Sequence, residues 1–222
     1  MKTLKRTFWP AIAAVVLMGL SLNFTACSNN SPLSVTEETF FAKQNMQVID
    51  LGDAVASLNK GKLNVSQLVT PEEGGRLVLF HGDAFKEYTN EEEAQIAEED
   101  SLDILSFGKK SGFFLSLNIL PNSIKEPTKI SLSMDKKSFD MQFGPHGTQF
   151  QTPALFNLIA VGLKLEKVNT ETLDLYYDNP QTGQWERMET AIVRVSKERG
   201  ALLIRNAQIP HFSRYAVAWS SR

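Results

Sequence analysis

Only one cysteine, Cys27, occurs in the 222 residues, so an intramolecular disulfide is excluded. Histidine is scarce too: His81, His146 and His211 lie far apart, without the close spacing of zinc motifs, and no metal is expected. The chain has no phosphate-cradling glycine loop, no G-x-S-x-G elbow and no H-E-x-x-H, so no cofactor or familiar hydrolase chemistry is expected. Charge of neither sign dominates. Lys and Arg number 23 against 25 Asp and Glu, and a nucleic-acid partner, which needs a basic surface, is not expected.

What the chain does have at its start is the layout of a secretory signal. Lys2, Lys5 and Arg6 precede the apolar run "FWPAIAAVVLMGLSLNF", which ends at "TAC". The alternative is an uncleaved membrane anchor, since a run of this length suits a transmembrane helix. A lone thiol in an oxidising compartment has no disulfide partner within the chain, which points to acylation. "FTAC" followed by "SNNSP" resembles the lipobox of bacterial lipoproteins, with Phe24 where Leu is usual. The resemblance implies removal of residues 1–26 and lipidation of Cys27, which becomes the first residue of the mature protein. Ser28, in place of the Asp that marks inner-membrane retention in such lipoproteins, implies the outer membrane of a Gram-negative cell, facing periplasm or surface. Cleavage would take away three basic and no acidic residues, moving the net charge from −2 to about −5. Beyond the signal no apolar stretch is long enough to span a bilayer, so the expected membrane partner is reached through lipid alone.

Residues 27–39, "CSNNSPLSVTEET", are polar and turn-rich and read as a lipidated tether. Residues 40–72 alternate weakly and give no firm assignment. From residue 73 onward, short alternating apolar runs separated by turn residues predict an antiparallel all-β sandwich of about nine to ten strands, over residues 73–222. The runs are "RLVLF", "FFLSLNI", "TKISLSM", "FDMQF", "LFNLIAVGL", "LDLYY", "QWERME", "AIVRVS", "ALLIRN" and "FSRYAVAW". "YYDNPQTGQW" reads as a hairpin, and "SKERGA" puts Gly200 where a positive φ is needed. Residues 88–100, "YTNEEEAQIAEED", interrupt the rhythm as an acidic insertion, a short helix with a Thr89–Glu92 capping box or a solvated loop. Nine carboxylates lie between Asp83 and Asp103, but nothing singles out a catalytic pair.

Several stretches of this region resemble the ZU-five-type domain of netrin receptors and ankyrins. They are "FFLSLNILPNSIKEPTKISLSM", "FGPHGTQFQTPALF", "LDLYYDNPQTGQWERM" and the final "IPHFSRYAVAW". The resemblance spans roughly residues 73–219 and implies a sandwich used chiefly for binding and scaffolding. Gly144, Pro145 and Gly147 are read as a tight corner between sheets, and Phe150 and Trp185 as core residues.

In some members of that family, the "His-Phe-Ser" triplet cleaves itself. The resemblance implies a second role here, in which Ser213 attacks the Phe212 carbonyl with His211 as base. Simple alternation places His211 and Ser213 on one face of the closing strand, with Tyr215, Val217 and Trp219. The bland alternative is a pair of half-buried polar groups satisfying one another. Ten residues, 213–222, lie beyond the bond. The leading expectation is a lipid-anchored envelope protein whose sandwich is a non-enzymatic module for a protein or glycan, displaying exposed aromatics as an apolar patch.

Overall fold

The computed structural model describes residues 40–51, 63–85 and 110–221. The signal segment, Cys27, the tether and the acidic insertion at 88–100 lie outside the described residues. In chain order the strands are β1 (Phe40–Ala42), β2 (Met46–Val48), β3 (Leu63–Val69), β4 (Gly75–Gly82), β5 (Gly112–Ile119), β6 (Thr128–Met134) and β7 (Asp140–Gly144). There follow β8 (Gln149–Val161), β9 (Asp174–Asn179), β10 (Gln184–Arg187), β11 (Ile192–Ser196), β12 (Ala201–His211) and β13 (Arg214–Ser220). Each of the ten runs read from the sequence overlaps one strand, although "FSRYAVAW" begins two residues before β13. The remaining three, β1 to β3, come from the weakly alternating residues 40–69.

All pairings between these strands are antiparallel, and they make two sheets. One has the order β1-β10-β9-β13-β7-β6-β3, with β2 also on β13; the other runs β11-β12-β8-β5-β4. β13 is shared along its length. Its first half lies between β9 and β7, and its second half between β9 and β2.

Period-two alternation decides what each face buries. Leu115 and Leu117 of β5, Phe156 and Leu158 of β8, and Leu202 and Ile204 of β12 meet Ile130, Leu132, Met141, Phe143, Tyr215 and Val217 of the other sheet in one core. Edge-to-face contacts of Phe143 with Phe156 and of Phe113 with Phe139 join the two layers. Phe150 packs against this core as expected. Trp185 does not. It is buried on the opposite face of the large sheet with Tyr176, Ala216 and Ala218, against Phe41, Met46 and Val48 of β1 and β2. The small alanines of β13 leave room for the ring there, and residues 41–48 supply its cover.

The turns follow the sequence reading. Gly144-Pro145-His146-Gly147 carries the chain from the large sheet to the small one, between β7 and β8. In the β9–β10 hairpin the Asn179 side chain accepts from the N–H groups of Gln181 and Thr182, and Gly183 closes the turn at φ +69°. Gly200 has φ +58°, and a Cβ there would lie 2.1 Å from the Leu163 carbonyl oxygen, so no side chain fits.

Candidate functional site

The His-Phe-Ser triplet does not lie within one strand. His211 ends β12 in the small sheet, Phe212 and Ser213 form the crossing, and Arg214 begins β13 in the large sheet. This corrects the expectation that His211 and Ser213 share a strand face. A corner breaks the i, i+2 rule, because the chain turns between them. Tyr215 and Val217 do face the common core, and Trp219 packs against it, as alternation required.

The corner is fixed through its backbone. The Phe212 N–H donates to the Thr148 carbonyl at 2.9 Å, and the Gly147 N–H donates to the Phe212 carbonyl at 3.2 Å. The Phe143 N–H donates to the Ser213 carbonyl at 2.9 Å, and the Tyr215 hydroxyl to the His211 carbonyl at 2.7 Å. All three carbonyls of the triplet therefore have donors. The Phe212 ring is buried, stacked on Phe143 at 5.9 Å and edge-on to Phe150 at 4.8 Å. Burial raises the Tyr215 hydroxyl far above the usual tyrosine range, so it remains a donor at all ordinary pH values.

Around this corner three connections converge: the β7–β8 turn, the β9–β10 hairpin and the β12–β13 crossing. They enclose an open cleft of about 440 Å³, lined among others by His146, Gln149, Tyr177, Glu186, His211 and Ser213. His211 is half-buried, with its ring edge-to-face on Tyr177 at 4.6 Å. Burial lowers its pKa, opposed by the Glu186 carboxylate and by a hydrogen bond to the Phe212 backbone. A neutral imidazole at pH 7 follows, able to accept a proton or a hydrogen bond. Glu186 is held in turn by the Asn179 side-chain amide.

Folding thus brings His146 and His211 to one cleft, although they lie far apart in the chain. His81 is elsewhere, on β4, packed against Phe113. Among the described residues no group of three or more His, Cys, Asp or Glu side chains is placed to hold a metal ion. Nor does any hydrogen bond among the described residues join the His211 ring to the Ser213 hydroxyl, and residues 211–213 have no positive φ. Sequence reasoning missed Tyr177, Glu186 and Gln149. The first two lie in the "YYDNPQTGQWERM" stretch, where the turn signal was plain but the direction of its flanking side chains was not.

Large exposed apolar side chains among the described residues are Leu68, Phe80 and Leu120, on β3, on β4 and just after β5. They do not make the aromatic patch expected of an apolar docking face; the concave feature is polar instead. Comparison with protein-family models, curated proteins and solved structures found no match.

Proposed function

We propose that this chain is a lipid-anchored cell-envelope protein, tethered through Cys27, whose β-sandwich is a non-enzymatic binding module for a protein or glycan. The observation that supports this reading is the cleft at the β12–β13 crossing. Its carboxylate, amide, imidazole and hydroxyl groups stand on strand ends and on turns whose backbone is pinned by hydrogen bonds, so little ordering is needed when a polar ligand binds. A photo-crosslinking residue at Gln181, which is exposed in the cleft, should capture an envelope partner in living cells, while one at the exposed Lys137 should not. Equal capture from both positions, or none from Gln181, would remove the cleft from this role. Labelling with an alkyne fatty acid, lost in Cys27→Ser, tests the tether separately.

A second reading is self-processing at Phe212–Ser213, with Ser213 as nucleophile and His211 as base. One observation favours it: the Gly147 N–H points at the Phe212 carbonyl oxygen, where negative charge would develop as the serine attacks. Attack by the hydroxyl would form a Phe212 ester and free the Ser213 amine, and water would then cleave the ester. The released strand would stay in place, because β13 is hydrogen-bonded on both sides. Intact mass under denaturing conditions, beside Ser213→Ala, decides the matter. Loss of residues 213–222 in the parent alone would establish cleavage; two uncut chains would leave the binding module.

A further inference from the structure

The register of the large sheet lays a graded row of side chains across β13, β9 and β10. Tyr215 is opposite Tyr177, and Tyr177 is opposite Glu186, so the three stand side by side on one face. Tyr215 is fully buried in the core, whereas Tyr177 and Glu186 are half-buried and line the cleft. The His211 ring meets this row from the small sheet, edge-to-face with Tyr177 at 4.6 Å. The core thus runs out into the cleft as an aromatic wall and ends at a carboxylate.

That carboxylate is set in place by the fold. The Asn179 side chain accepts from the N–H groups of Gln181 and Thr182 at 2.8 and 3.3 Å, and its amide donates to Glu186 Oε1. The hairpin turn therefore orients Glu186 through one fixed amide, and Oε2 carries lone pairs that a ligand hydroxyl can use. The two guanidiniums nearest to it in sequence along this rim are drawn elsewhere. Arg187 binds Asp174 at 2.9 Å, and Arg214 is held by Asp140 at 2.9 and 2.7 Å and by Asp178 at 2.8 Å. An anionic ligand would therefore meet Glu186 while these two cations are already engaged.

A pyranose ring has the matching make-up, an apolar C–H face beside an edge of hydroxyl donors. Resting on the reading of the cleft as a binding site, we propose that its ligand is a neutral saccharide. One sugar ring lies against Tyr177 and donates hydroxyls to Glu186, and the exposed amides of Gln149 and Gln181 meet neighbouring hydroxyls. The volume of about 440 Å³ lies within the range of about 300–1,000 Å³ usual for small-ligand sites. A polypeptide would instead need about 800 Å² of surface with aromatic or apolar anchors. The large exposed apolar side chains, Leu68, Phe80 and Leu120, are not in the lining of the cleft.

The test is affinity electrophoresis of the full-length chain, in a polyoxyethylene detergent, through native gels that contain dissolved glucan, mannan, galactan or xylan. The expected result is retardation in at least one of the four, reversed by free oligosaccharide of the same sugar. Glu186→Gln keeps the shape and an acceptor for the Asn179 amide but removes the charge. It should weaken the apparent affinity by about tenfold or more, the scale of a lost hydrogen bond to a charged group, with an unchanged urea midpoint. Lys137→Ala, at an exposed site outside the cleft, should have no effect. If Glu186→Gln disturbs folding, Gln149→Ala carries the same comparison from an exposed side chain. Free migration in all four gels, or retardation that the cleft variants leave intact, would overturn the saccharide. The two readings fail separately: a polypeptide captured at Gln181 without retardation in any gel would leave the cleft as a site for protein, whereas neither capture nor retardation would remove both.

Discussion

Truncating Phe212 to alanine tests whether the β12–β13 crossing is held by its aromatic anchor. The ring is 1 % exposed, stacked on Phe143 and edge-on to Phe150, so its removal leaves a cavity between two sheets that are fixed by other contacts. Buried Phe→Ala substitutions cost about 3–5 kcal/mol, transfer and cavity terms together. The crossing has little freedom to collapse, because hydrogen bonds from Gly147, Phe143 and Tyr215 fix its carbonyls. The upper half of that range is therefore expected. With a urea slope of about 2 kcal/mol/M, the unfolding midpoint should fall by about 2 M. Fluorescence of the buried Trp185 provides the signal. Phe80→Ala is the control: that ring is 43 % exposed, and its loss should cost within about 0.5 kcal/mol. A Phe212→Ala loss below about 1 kcal/mol, or one equal to the Phe80→Ala loss, would refute the idea that this ring anchors the corner.

Two further outcomes follow from the same geometry. Gly200→Ala should lower the melting temperature by several degrees, since a residue at φ +58° with its Cβ against the Leu163 carbonyl costs about 1–3 kcal/mol or more; an unchanged melt would contradict the tight turn. The His211 ring should titrate below the ordinary 6.5, and Glu186→Gln should depress it further by removing a carboxylate that raises it. By linkage, a folded pKa below the unfolded one gives stability that is present above pH 6.5 and lost as pH falls through the folded value. An NMR titration midpoint above 6.5 would oppose both statements.

The strand runs were legible because period-two alternation is local, and the glycines at 183 and 200 were legible because turns demand particular dihedrals. The triplet at 211–213 escaped for a physical reason. A chain that crosses from one sheet to the other can keep apolar residues inward on both sides, so "PHFSRYAVAW" looks like one uninterrupted strand. Trp185 misled in the same way. Alternation predicts that a large ring on β10 is buried, but which face buries it depends on β1 and β2, whose short strands give almost no pattern. The cleft was hidden more deeply, since Tyr177, Gln149 and His211 approach only when three separate connections meet.

The place of β13 in the large sheet bears on the order in which this protein can assemble. During synthesis it is the last of the thirteen described strands to emerge, yet it is the one that β2, β7 and β9 all require as a neighbour. Until it arrives, those three have open flanks, and hairpins such as β9–β10 can form while the sheet cannot close. The nascent chain thus passes through a stage in which its own unfinished edges are adhesive, and a chaperone that shields strands until β13 is available would protect its yield more than one acting on the finished protein.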